Sequence, residues 1–509
     1  MIPFPVLAHA VLAVSVLAPL APPSDAAAER LAAASRLESA SRVMEHADVL
    51  ARRIGPRLTG SEGLRRAAEW ARDRLASYGL ENARLEAIGE WPLGFERGPS
   101  TGRIASPERR DLRFGANAWT RGTAGPVEGR AVLAPASDDA LAKGGFEGAW
   151  VLLPSAPKGD AFEARRDALF AEKEKGIAGL VRRSPRDEIL VQGRPAASLD
   201  ALPPFPEVVL GAADFDALAR RVSDGEAVRL EFDLRHEFVP GPLPLVNVVA
   251  EIRGTERPDE FVIVGAHLDS WDGAAGAADN AAGVAAVLEA ARLLAAAEPK
   301  PRRTIRFVLF TGEEQGLLGS KGDVARNAAL LPKTSAVFVM DLGTNAISGI
   351  EAPEAQAAIL EKALAPLAAL DPARPFTVST KRAAAAPESE CASPCEPAAP
   401  KARDCSSACE PAARCAPADA ACGAPSDCAS AGGGGGCSSD HVAYLAAGVP
   451  AFLFRQSGPH DYSRAHHTDA DRFEDLDADS LRHSALVIAL AARAVAGLDA
   501  LLPREAANR

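Results

Sequence analysis

Short, almost wholly apolar runs alternate along the second half of the chain with stretches whose apolar positions recur every three or four residues. LVNVVAEIRG (245–254), FVIVGAHLDS (261–270), TIRFVLFTGEE (304–314), SAVFVMDLG (335–343) and AFLFR (451–455) read as buried strands. GVAAVLEAARLLAAA (283–297) and DADSLRHSALVIALAARAVAGLDALL (477–502) read as helices between and after them. Strands that alternate with helices in this way predict a mixed, mainly parallel α/β sheet covered by helices on both faces.

Ahead of this body, residues 30–53 carry a helical period, and RIGPRLTGSEG (53–63) is a turn-rich break. Ser61 is placed to cap a second amphipathic helix, LRRAAEWARDRLASYGL (64–80), which Gly79 closes. Residues 118–240 carry short β-like runs, GAWVLL (148–153), GIAGLVRR (176–183) and PEVVLG (206–211), and are expected to form an inserted, mostly β domain. PGPLPLVN (240–247) reads as the linker back to the main body, so residues 29–117 and 241–502 would make up the principal domain. Residues 381–437 break the pattern with Ala, Pro, Ser, Cys and a run of glycines. They lack the apolar bulk to build a core and read as a surface insertion.

Composition narrows the partners. The 509 residues carry 68 acidic against 56 basic side chains, a net charge of -12, which argues against nucleic acid or an anionic membrane surface. Residues 1–28 hold a short apolar stretch ending in small residues and read as a secretory signal, with a membrane anchor as the rival. A secreted or periplasmic location follows, and no stable membrane partner is expected. All eight cysteines (Cys391, Cys395, Cys405, Cys409, Cys415, Cys422, Cys428, Cys437) lie in the low-complexity insertion. An even count in an exported chain favours disulfides over zinc ligation, since the tight pairs are C-x-x-x-C and no histidine lies among them.

Candidate chemistry falls where the strands end, which is where open parallel sheets bind ligands. His267 and Asp269 end one strand, Glu313 and Glu314 another, and Asp341 a third. His467 follows the last strand, and Asp279 stands just before a helix, across a Gly- and Ala-rich gap that lets the backbone come close to a ligand. So many carboxylates in one crevice would repel one another and take up protons unless a cation joined them. Mixed His and carboxylate ligation suits zinc, and two ions ~3.5–4 Å apart, bridged by one carboxylate, would clamp a water and a carbonyl oxygen. Of the adjacent acids, one can bind metal while the other takes the proton of the attacking water.

PRLTGSEG, GAHLDSWDGAAGAADNAAGV, FTGEEQGLLGS, MDLGTN, SDHVAYLAAGVPA and HHTDADRFEDLD together resemble the co-catalytic dizinc exopeptidases of metallopeptidase family 28, on the carboxypeptidase Q-like side. The resemblance covers roughly residues 40–100 and 240–500, outside the Cys-rich insertion, and implies the zinc exopeptidase fold with 118–240 as a protease-associated-like domain. It implies that His267 and Asp341 hold one zinc, that Glu314 and His467 hold the other, and that Asp279 bridges them. Glu313 would be the general base, Asp269 would orient His267, and His441 would meet the developing oxyanion. The substrate would be a peptide or dipeptide cut near a free terminus, as an aminopeptidase or a carboxypeptidase Q-like dipeptidase does; a homodimer is compatible with this reading. Two other classes stay open: a glutaminyl cyclase-like acyltransferase with one zinc, and a non-catalytic receptor on the same scaffold.

Overall fold

The five apolar runs of the main body become five neighbouring strands of one sheet. A computed structural model describes residues 41–135, 145–154, 176–380 and 439–504. The N-terminal apolar stretch and the Cys-rich segment lie outside the described residues. In chain order the strands are β1 (Glu81–Ser106), β2 (Arg110–Asp111), β3 (Phe114–Ala116), β4 (Val127–Leu133), β5 (Ala149–Leu153), β6 (Gly179–Arg183) and β7 (Glu207–Leu210). They continue with β8 (Arg229–Ile252), β9 (Arg257–His267), β10 (Arg303–Phe310), β11 (Thr334–Val339), β12 (Ala346–Ala352), β13 (Thr377–Thr380) and β14 (Ala451–Ser457). The sheet runs β13-β12-β14-β11-β9-β10-β8-β4-β5-β6-β7-β3, with β1 paired to β8 and β2.

At its centre β14, β11, β9 and β10 are mutually parallel, and β8 and β12 flank them antiparallel. Every residue of β10 and β11 is buried, as expected of strands covered on both faces. Alternate side chains serve different layers. Ile305, Phe307 and Leu309 join the core under the Glu62–Ser77, Ala282–Ala296 and Ala478–Ala496 helices. Val308 and Phe310 face the opposite layer, with Tyr444 and Val449. Full burial of each phenylalanine contributes on the order of 2–3 kcal/mol.

The helix starts follow local chemistry. Ser61 Oγ accepts from Leu64 N at 3.2 Å, a cap that stabilises by about 1 kcal/mol, and Gly79 sits beyond the helix end at φ +83°. The Ala282–Ala296 helix is buried nearly all round, which its alanines permit. The last helix stops at Ala496, short of the expected 502. Gly497 ends it, and the Arg302 and Arg303 guanidiniums take the carbonyls of Gly497 and Ala496.

Residues 240–247, read above as a linker, are the middle of β8. β1 and β8 are 26 and 24 residues long and pair antiparallel as a ribbon. One end of β8 pairs with β10, and the other with β4. The ribbon thus carries the sheet from the main body into a second lobe. That lobe has a core of its own, from Ile104, Leu112 and Ala116 through Trp150, Val208 and Phe232, so its apolar cluster begins ahead of residue 118.

Candidate active site

Because β9, β10, β11 and β14 are parallel, their carboxyl ends open on one edge, and the chain places its polar residues there. His267 is the last residue of β9, and its Nε2 lies 3.2 Å from Asp279 Oδ1 and 3.5 Å from Asp341 Oδ1. His467 Nε2 lies 2.8 Å from Glu314 Oε2 and 3.6 Å from Asp279 Oδ2. The two oxygens of Asp279 therefore face two different imidazoles. His267, Asp279 and Asp341 each offer a ligand atom within 4.8 Å of one another, and Asp279, His466 and His467 form a second such trio.

Each side chain is held by local structure. After β10, Gly312 and Gly316 (φ +73° and +107°) close a tight turn in which Gly316 N and Leu317 N donate to Glu313 O. Asp269 secures that turn: its Oδ1 accepts from Glu313 N and its Oδ2 from Glu314 N, each at 3.2 Å. His267 Nδ1, the ring's second nitrogen, meets the Asp269 backbone oxygen at 3.1 Å, and the Asp269 carboxylate, engaged by two backbone N–H groups, lies 3.8 Å away.

Asp279 sits in an irregular turn where its φ and ψ leave the helical region. Asn280 next to it donates to Met340 O at 2.9 Å and accepts from Gly283 N, so the turn is tied to the end of β11 beside Asp341. A Cβ on Gly283 would lie 2.2 Å from Asn280 Oδ1, and one on Gly276 would lie 2.4 Å from Ser270 Cβ. The small residues thus serve backbone packing against the neighbouring loop.

Two supports carried no assigned role in the sequence. Asp471 accepts from the backbone N–H groups of Ala277, Ala278 and Asp279 at 2.9, 2.6 and 3.1 Å. Buried Arg57 donates to Leu268 O and Gly276 O, each at 2.8 Å, and to Ala275 O. Both lie inside stretches singled out above, PRLTGSEG and HHTDADRFEDLD, but their partners are backbone atoms, which leave no trace in residue type. Ser439 and Asp440 are fully buried, and Asp440 acts electrostatically on Glu313. His441, half-buried, begins the His441–Ala446 helix.

The electrostatics are those of excess negative charge. Burial, and then Asp341 and Glu314, push Glu313 well above the carboxylate range. Burial and the neighbouring Asp279 do the same to Glu314, whose Oε1 is buried with no hydrogen-bond partner among the described residues. Burial lifts Asp440 and Asp471 to about 7 each. For His267 burial acts downward, but Asp341 and Asp279 outweigh it and raise the imidazole well above its ordinary value. A divalent cation among these groups would reverse that balance.

A mixed sheet with helices on both faces and a histidine–carboxylate cluster on its carboxyl edge is the zinc exopeptidase fold. Residues 247–371 match peptidase family M28. The chain is 31% identical to carboxypeptidase Q of Rattus norvegicus over 317 residues, 60% of this chain and 66% of the relative, and 32% identical to that of Bos taurus over 323 residues with the same shares. It thus spans just under two thirds of the length of these relatives. A peptidase M28 precursor from Shewanella amazonensis superposes with a TM-score of 0.65 at 24% identity, covering 94% of this chain and 97% of that one. A zinc aminopeptidase from Bacillus subtilis gives 0.57 at 16% identity over 88% and 93%. The solved structures establish the fold, and residues 247–371 are similar to peptidase family M28.

Proposed function

We propose that this chain is a zinc-dependent exopeptidase that hydrolyses a peptide bond near a free terminus. The observation that carries the reading is the two-sided exposure of Asp279, one oxygen towards His267 and the other towards His467. The buried surplus of carboxylates and the unpartnered Glu314 Oε1 fit cationic occupants. On this reading His267 and Asp341 would hold one zinc ion, Glu314 and His467 would hold a second, and Asp279 would serve both. When bound, such ions polarise a carbonyl and acidify a water, which speeds attack on an amide.

The chain's own groups do the rest. Glu313 stands beside Glu314, and of the two it is Glu314 whose carboxylate faces His467. It takes the proton of the attacking water and returns it to the leaving amine. His441 meets the developing oxyanion. Asp269, Asn280 and Asp471 keep the carboxylate-bearing turns in register, so that little reorganisation accompanies the reaction. The second lobe corresponds to the inserted protease-associated-like domain. Export belongs to the same proposal and is supported by the apolar N-terminal stretch; among the described residues no helix is long and apolar enough to cross a membrane.

The test is a zinc count on the purified chain, together with hydrolysis of unblocked dipeptides against N- and C-blocked analogues. Two zinc ions per chain and turnover only with a free terminus are expected. One firmly bound ion with cyclisation of N-terminal glutamine would favour the cyclase-like reading. No metal and no turnover would overturn both.

A further inference from the structure

The second lobe reaches the loop that carries His467. Between β6 and β7 the chain passes through Glu188–Gln192 and lies against residues 467–469. Asp469 N donates to Ile189 O at 3.0 Å, Val191 N donates to His467 O at 2.8 Å, and Leu190 and Thr468 form an antiparallel bridge. Asp469 Oδ1 also accepts from Ile189 N at 2.8 Å. His467 has φ +55°, a left-handed conformation costly for a non-glycine residue, and these bonds fix the chain from its carbonyl onward.

One side chain continues the contact to the imidazole. The Gln192 amide nitrogen lies 3.2 Å from His467 Nδ1, while the ring's Nε2 on the far side faces Glu314 and Asp279. A histidine can offer the Nε2 lone pair to a cation only when the ring proton sits on Nδ1, and that N–H then needs an acceptor. A half-turn of the Gln192 amide brings Oε1 to face it, since the oxygen and nitrogen occupy equivalent ends of the group. Trp271, edge-on, and His466, stacked at 3.8 Å, are aromatic neighbours of the ring. We propose that Gln192 is a positioning residue for His467, so that the second lobe supplies the group that sets the tautomer and aim of an imidazole in the main body's site. This rests on the metal-dependent reading of the site given above and adds a contribution from the other lobe.

The experiment measures zinc affinity by competition with a chromophoric chelator, alongside the melting temperature of each metal-free protein, for the wild type, Gln192→Met and Gln192→Glu. Gln192→Met should weaken one of the two ions by about ten- to hundred-fold and leave the other near its wild-type affinity. Gln192→Glu keeps an acceptor at Nδ1 and should restore the weakened ion. Unchanged affinities in Gln192→Met, or equal weakening in both variants, would overturn the proposal. A wild type that binds no zinc would instead remove the metal-dependent reading, and this assignment with it. Should Gln192→Met melt in the cold, Gln192→Asn, whose amide is one methylene short of the ring, gives the same measurement.

Discussion

Two buried polar clusters lie along β10, and they obey opposite rules. The first surrounds Arg306, which is 1% exposed in mid-strand. Its guanidinium meets Glu86 at 2.9 Å, Asp323 at 3.0 Å and Glu251 at 3.2 Å. Tyr444 donates to the other oxygen of Asp323 at 2.6 Å, and Asn327 and Arg84 complete Glu86. Burial alone would raise Glu86, but Asn327, Arg306 and Arg84 outweigh it and hold that carboxyl below its usual range. The second cluster, just past the strand's end, has Glu313 and Glu314 raised well above theirs. In the first cluster guanidiniums meet the carboxylates directly; in the second, carboxylates crowd one another and Glu314 Oε1 is without a partner among the described residues, the setting that the proposed cations fit.

The largest effect should come from Glu313→Gln. Dipeptide hydrolysis is expected to fall roughly 10³-fold with bound zinc unchanged, as loss of a general base does; turnover near the wild-type rate would remove Glu313 from that role. Arg306→Met tests the other cluster. It strands Glu86 and Asp323 in the core and should cost about 3–5 kcal/mol in urea unfolding, with zinc stoichiometry kept in the folded fraction. A variant as stable as the wild type would dissolve the distinction between the two clusters.

The same network predicts an acid limb. Glu86 is depressed in the folded protein, so the unfolded chain takes up its proton first, and the associated stability is present above pH 4.5 and lost as the pH falls below it. Stability in the wild type should therefore drop more steeply with acid than in Arg306→Met; parallel curves would count against the pairing. The smallest effect is expected from Glu314→Gln in chelator-treated protein. The change keeps a partner for His467 and relieves charge crowding, so melting should stay within about 1 kcal/mol of the wild type or rise. A loss comparable to that of Arg306→Met would place Glu314 in the scaffold.

The apolar runs made the central strands and their covering helices legible, because full burial on both faces demands uninterrupted apolar side chains. The same reading located His267, Glu313, Glu314 and Asp341 at strand ends and Asp279 ahead of a helix. β12 and β13 were not legible, since neither IS-G-IEA nor TVST carries a distinctive run. Residues 240–247 of β8 were read as a linker, because the bulged pairing with β1 interrupts the alternation that marks a strand.

What the sequence determined by itself is therefore the order of strands and helices and the residue types delivered to one edge, both set by local burial and by strand ends. Tertiary structure alone decided which atoms face which. Arg57 and Asp471 act on backbone groups roughly two hundred residues away, and Gln192 reaches His467 across a separation of 275. Those contacts depend on how a β1–β8 ribbon, a turn and a second lobe come together in space. Neither residue type nor periodicity encodes that, because hydrogen bonds to backbone and through-space approaches leave no periodic mark on the chain.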